Sequence, residues 1–198
     1  MSYNTALCQW QVLDTEINCV YPWFTHPFLE VLKTWDLSET IVLEYGGGRS
    51  TAWWATRAYA VVTVEANPVY VRSISEELMD KKLFSKAVIL SRITNEGTTD
   101  PAMVDYYVNA PDNYFISHHF GIVVVDGIMR HECTVKGVEI LQKTGGKLIV
   151  DNWQQDGFVC PASEEFMKPY DMHLFVQEDH TDHNGRKWAT AYWEIPKL

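Results

Sequence analysis

Apolar residues in this chain fall into short continuous runs separated by stretches in which they recur every three or four positions. Ile41-Val42-Leu43-Glu44-Tyr45, Ala60-Val61-Val62-Thr63-Val64-Glu65, Ala87-Val88-Ile89-Leu90, the run from Phe120 to Gly127 and the run from Lys147 to Trp153 read as strands buried on both faces. The helical stretches are a short one after Pro27, Ser50 to Tyr59 with Trp53 and Trp54, Pro68 to Lys82, a short one started by Asp100-Pro101, Arg130 to Thr144, and Pro161 to Tyr170. Val71, Ile74 and Leu78 line one face of the third, and Val135, Val138 and Leu141 point inward from the fifth. Met172 to Glu178 and Trp188 to Ile195 read as two more strands around the hairpin signal Asn184-Gly185. Strands alternating with helices imply a mostly parallel sheet with right-handed crossovers, closed by an antiparallel hairpin. Residues 1–26 hold Tyr3, Trp10, Tyr21, Trp23, Phe24 and His26 without a period. Packing against the sheet is the expectation for them, and a cover over a ligand mouth is the alternative.

Composition narrows the class. At 198 residues, 46% hydrophobic and 13% aromatic, the chain can bury the core of a single domain, with 28–195 as its body and 1–26 as an extension. Cys8, Cys19, Cys133 and Cys160 are scattered, which suits reduced thiols rather than a disulfide framework or a zinc site. The sequence contains neither a leader pattern nor an apolar run near the roughly 18 residues of a membrane span, so a cytoplasmic protein is expected. A net charge of −10 disfavours a surface that tracks nucleic-acid phosphates and favours a small-molecule or protein partner. Lys81, Lys82 and Lys86 form a basic cluster that reads as the solvated end of a helix.

Candidate chemistry concentrates where the first strand runs into Gly46-Gly47-Gly48-Arg49-Ser50-Thr51. Glycines let a ligand approach the main chain, and Ser50 or Thr51 can cap the following helix. Glu44, two residues before the first glycine, would repel a pyrophosphate, and Thr51 stands where the dinucleotide fingerprint needs its third glycine. A cationic ligand reverses the argument, because an acid can hold an ammonium directly or through water. Glu65 ends the second strand about 20 residues on, where a carboxylate reaches the hydroxyls of a ribose. Asp126 ends the fourth strand, so Glu44, Glu65 and Asp126 should lie along one rim of the sheet.

Glu44-x-Gly46-x-Gly48 resembles the first motif of the class I S-adenosylmethionine-dependent methyltransferases, and Glu65 resembles the second. The resemblance implies a Rossmann-like three-layer α/β sandwich over residues 28 to 195. It implies that Glu44, Gly46, Gly47, Gly48, Ser50 and Thr51 hold the methionine end of the cofactor S-adenosylmethionine. Glu65, Ala66 and Asn67 would serve the ribose, and Asp126 and Gly127 the region of the methyl group. The family often sets an acid beside the adenine after the third strand; the residues at that place here are Arg92 and Asn95. Asp126 and His131 are the candidate bases, His131 because its ordinary pKa lies near neutrality. His118, His119, His180 and His183 read as loop residues.

Asp126, Asp151 and Asn152 could converge three oxygens on Mg²⁺. That set resembles the metal-dependent catechol and caffeoyl-CoA type O-methyltransferases, although Gly127-Ile128-Met129-Arg130 supplies no lysine where those enzymes carry their base. An aminopropyl transferase of the spermidine synthase kind, using decarboxylated S-adenosylmethionine, shares the glycine run but has an acid where this chain has Arg49. A non-catalytic nucleoside-binding module and a nicotinamide dehydrogenase are the remaining alternatives.

Overall fold

The computed structural model describes residues 13–95, 97–113, 119–153, 161–181 and 187–198. A two-stranded ribbon, β1 (Leu13–Asp14) with β2 (Cys19–Val20), comes first, followed by helix α1 (His26–Leu32). The alternating body then runs β3 (Ile41–Tyr45), α2 (Arg49–Arg57), β4 (Ala60–Glu65), α3 (Pro68–Asp80) and β5 (Ala87–Ser91). After α4 (Pro101–Val108) come β6 (Phe120–Val125), α5 (Arg130–Thr144), β7 (Gly146–Val150), α6 (Pro161–Met167), β8 (Met172–Thr181) and β9 (Lys187–Ile195).

Seven strands form one sheet in the order β5-β4-β3-β6-β7-β9-β8. The first five pair in parallel, while β9 runs antiparallel to both β7 and β8. Period-two alternation sorts each strand between two cores: Leu43, Tyr45, Val123 and Val125 pack on one face with Val138 and Leu141 of α5. Val42, Val124 and Ile149 pack on the other with Phe28, Trp53, Trp54, Ile74 and Leu78 from α1, α2 and α3. The result is the expected Rossmann-like three-layer sandwich with an antiparallel C-terminal hairpin.

Side-chain caps fix the helix starts that proline marked. Asn67 Oδ1 accepts from the Val69 N–H at 2.9 Å and Asp100 Oδ1 from the Ala102 N–H at 3.0 Å. Strand ends are shorter than the apolar runs suggest: the fourth strand stops at Val125 and the fifth at Val150, with Asp126-Gly127 and Asp151–Trp153 beyond them in turns. The main chain of both acids still donates to the neighbouring strand, the Asp126 N–H to the Tyr45 carbonyl at 2.8 Å and the Asp151 N–H to the Val125 carbonyl at 3.1 Å. The Asn184-Gly185 turn, Cys8, Cys160, Tyr3, Trp10, His118 and His183 lie outside the described residues. Cys19 and Cys133 are buried free thiols. No described helix is long and apolar enough to cross a membrane.

Close helix-to-sheet contact is specified at Gly137, where an added Cβ would stand 2.8 Å from Leu148 Cδ1 and 3.0 Å from Val123 Cγ1. Gly137→Val should therefore overpack the layer and cost about 1–3 kcal/mol in chemical denaturation, with cofactor-site residues untouched. A variant as stable as the parent would mean that α5 can lift off the sheet freely.

Candidate functional site

The strand order reverses between β3 and β6, and ligands in open parallel sheets bind outside the carboxyl ends of strands at such a point. Gly46 follows β3 with φ +90°, a conformation that glycine alone adopts without strain. A Cβ there would stand 2.4 Å from the main chain of Gly127, so the ends of β3 and β6 touch backbone to backbone. Around Gly48 there is open space instead, on the side of the cavity it lines.

Glu44 shares the face of Val42, so its carboxylate turns under the glycine loop toward α2 rather than into the cavity. It is 0% exposed. Oε1 accepts from Ser50 Oγ at 2.5 Å, and Oε2 accepts from Thr51 Oγ1 at 2.6 Å and Thr63 Oγ1 at 2.9 Å. Thr51 Oγ1 in turn accepts from the Gly48 N–H at 3.3 Å. Burial pushes the Glu44 carboxyl up to about 7 against the pull of the three hydroxyls. Direct contact of Glu44 with a ligand ammonium, one of the two modes expected, does not fit this geometry: Glu44 anchors the loop from beneath, and Ser50, which donates to it, lines the cavity.

Glu65 does reach the cavity wall. Only 6% exposed, it accepts from the Gly47 N–H through Oε2 at 2.7 Å and from the Asn67 N–H through Oε1 at 2.6 Å. Each oxygen keeps a second lone pair for a hydroxyl donor. Burial raises its pKa, opposed by those amides. With Gly46, Gly47, Gly48, Arg49, Ser50, Ala66, Asn67, Asp126 and Gly127 it encloses about 880 Å³. Ile93, Thr94 and Asn95 form the wall beyond β5, where Thr94 Oγ1 is buried with no hydrogen-bond partner within the protein. Arg92 instead lies over the Tyr106 ring at 4.9 Å.

Asp126 lines the far end of the cavity, its side chain 27% exposed. Arg130 faces it, Nη2 donating to Asp126 Oδ1 at 3.2 Å. Burial raises the Asp126 pKa and the guanidinium pulls it back. His131, the second candidate base, is not at the cavity: its Nδ1 is 3.0 Å from Ser163 Oγ of α6. One residue further along α5 than Arg130, it is carried about 100° around the helix to the α6 side. The three oxygens proposed for Mg²⁺ are also engaged otherwise. Arg130 Nη2 takes Asn152 Oδ1 at 3.3 Å as well as Asp126, while Asp151 accepts from Thr190 Oγ1 at 2.6 Å and from Asn152 Nδ2 at 2.8 Å. Among the described residues there is no group of three or more His, Cys, Asp or Glu side chains placed to hold a metal ion.

The aperiodic N-terminal segment divides between its two readings. Phe24 packs in the core against Phe28 of α1 and Trp54, whereas Tyr21 and Trp23 line the cavity, Trp23 remaining 44% exposed. Backbone amides hold this segment to the hairpin: the Thr25 N–H donates to Thr190 Oγ1 at 3.0 Å and the His26 N–H to Gln177 Oε1 at 2.7 Å. Tyr70, Tyr107 and Arg130 are cavity residues to which the sequence attached no site role, whereas Tyr21 and Trp23 belong to the segment read as a possible cover. Aromatic content near a terminus was the only signal for the last two.

Neither a protein-family model nor a curated protein matches the chain. Solved structures do. An rRNA methylase from Streptococcus thermophilus superposes with a TM-score of 0.59 at 14% identity, covering 87% of this chain and 96% of that one. The O-methyltransferase TomG from Streptomyces achromogenes, in complex with SAM, gives 0.59 at 14% identity over 85% of this chain and 78% of its own. TYW2 from M. jannaschii, in complex with AdoMet, gives 0.57 at 13% identity over 100% and 90%. The chain therefore has the class I methyltransferase fold.

The buried Glu44 carboxyl has a pH consequence. Its folded pKa of about 7 lies above the ordinary 4.5, so the native state holds the proton more tightly than the unfolded chain. Stability then falls as pH rises from about 4.5 through 7 and is regained on acidification. At about 1.4 kcal/mol per tenfold in proton affinity, the step from pH 5.5 to 7.5 should cost about 2 kcal/mol through this residue. Urea denaturation at the two values should show Glu44→Gln reducing the difference by that amount; an unchanged difference would mean the carboxyl ionises freely.

Proposed function

We propose that this protein is an S-adenosylmethionine-dependent methyltransferase acting on a small-molecule or protein acceptor. The observation that carries the reading is the Glu65 carboxylate at the cavity wall, clasped to the glycine loop by the Gly47 N–H at 2.7 Å. Its position at the end of β4 suits a vicinal diol of ribose, and the loop beside it presents main chain rather than side chain. A cavity of about 880 Å³ lies in the range of ligand pockets, roughly 300–1,000 Å³. The unpartnered Thr94 hydroxyl and the open space at Gly48 fit a nucleoside that fills what the protein leaves vacant. The fold of the similar structures supports the same reading, two of them being complexes with this cofactor.

When bound, S-adenosylmethionine supplies a methyl group on a sulfonium leaving group that needs no acid. The protein's own work is then to position the acceptor and accept its proton. Asp126 would take that role, being part-exposed at the rim, with burial raising its pKa against the pull of Arg130. Arg130 fixes its orientation. Tyr21 and Trp23 would meet the acceptor from the N-terminal side. The net charge of −10 opposes a nucleic-acid acceptor.

Glu65→Ala should weaken S-adenosylhomocysteine binding by roughly 10- to 100-fold in a fluorescence titration, in line with the loss of hydrogen bonds to a charged acceptor worth about 1.5–3 kcal/mol. The Gly47 and Asn67 amides it leaves border the cavity and can be hydrated, so the fold should persist by circular dichroism. Unchanged affinity in a folded variant would remove Glu65 from the site.

A further inference from the structure

The ends of β6 and β7 gather Asp126, Asp151 and Asn152 around a single buried cation that belongs to the protein. Arg130, the first residue of α5, has a side chain only 6% exposed. Its Nη2 donates to Asp126 Oδ1 at 3.2 Å, to the Asp126 carbonyl at 3.2 Å and to Asn152 Oδ1 at 3.3 Å. Nε donates to the Gly127 carbonyl at 3.0 Å, and Nη1 donates to the Asp151 carbonyl. One guanidinium thus ties together side-chain or main-chain oxygens from all three residues that a hard divalent ion would need. The helix that carries it begins after Met129 in a left-handed conformation, φ 52°, which turns the chain so that Arg130 points back under the two strand ends.

A magnesium ion requires near-octahedral oxygens at about 2.1 Å. Here the Arg130 guanidinium already stands against Asp126 Oδ1 and Asn152 Oδ1, and the Asp151 carboxyl is held by Thr190 and Asn152. Admitting the ion would also force a buried guanidinium out beside a second positive charge, leaving it without its anion. We propose that Arg130 is a resident cation that takes the place of a divalent metal at this rim, so that the chain works without one. Its removal uncovers a latent oxygen site for a divalent ion. The cation assignment rests on the contacts of Arg130 alone. Its bearing on substrate rests on the methyltransferase reading: the acceptor is not a vicinal diol held by chelation to a metal.

Mn²⁺ is the probe, followed by the paramagnetic resonance of the free ion at pH 7 on wild type, Asp126→Asn, Arg130→Ala and the Arg130→Ala/Asp126→Asn double variant, with circular dichroism to establish folding. Wild type should show no Mn²⁺ binding that Asp126→Asn abolishes. Arg130→Ala should bind one ion at least tenfold more tightly than wild type, and the double variant should lose it. Binding by wild type that depends on Asp126 would overturn the proposal, as would a folded Arg130→Ala with no gain. Should Arg130→Ala not fold, Arg130→Lys decides, because it keeps the charge and must exclude Mn²⁺ as wild type does; Asp126-dependent binding in it would count against the proposal. Titrating the same preparations with S-adenosylhomocysteine keeps the cofactor reading separate, since its failure would leave the Mn²⁺ result standing.

Discussion

A buried carboxylate with no cationic partner among the described residues sits beneath the cavity rim, and the rim's shape depends on it. Glu44 holds Ser50, Thr51 and Thr63 in one cluster, joining the end of β3, the first turn of α2 and the neighbouring β4. Without an ionic partner the group keeps the cost of desolvation, which is why its pKa rises to about 7 even with three hydroxyls donating to it. The hydroxyls compensate only in this geometry, so the cluster fixes where α2 begins. Above it, Glu65 clasps the Gly47 amide from the side and Gly127 meets Gly46 from across the sheet. The glycine loop is thereby held from three directions before any ligand arrives.

Much of this architecture is written in local pattern. The parallel strands are apolar runs because both faces are covered, and Asn67-Pro68 and Asp100-Pro101 mark helix starts that the structure caps as expected. Gly46 and Glu65 are legible for the same reason, each being demanded by a backbone or strand-end position. What a sequence conceals is which way a side chain leaves the rim. Glu44 could have faced ligand or core, and its register with Val42 decides for the core. His131 lies one helical step away from Arg130, on the α6 side. Arg130 resembles any helix-opening base until Asn152, 22 residues on, joins Asp126, four residues before it, around its guanidinium.

The charges along the rim follow a division of labour. Glu44 is spent within the protein, Glu65 is shared between protein and cavity, and Asp126 is opposed by a fixed guanidinium. The N-terminal segment completes the enclosure by a route that no periodicity announces, pinned by Thr25 to Thr190, which itself holds Asp151. A fold shared with rRNA and oxygen methylases leaves the acceptor to such loop and terminal residues.

Isothermal titration of the wild-type protein with S-adenosylhomocysteine, beside NAD, tests the central claim most directly. The account predicts one S-adenosylhomocysteine bound per chain and no heat from NAD, since Thr51 stands where the dinucleotide fingerprint needs its third glycine. Absence of S-adenosylhomocysteine binding, or equal binding of NAD, would mean that the glycine loop and its acids serve the fold alone or a different ligand.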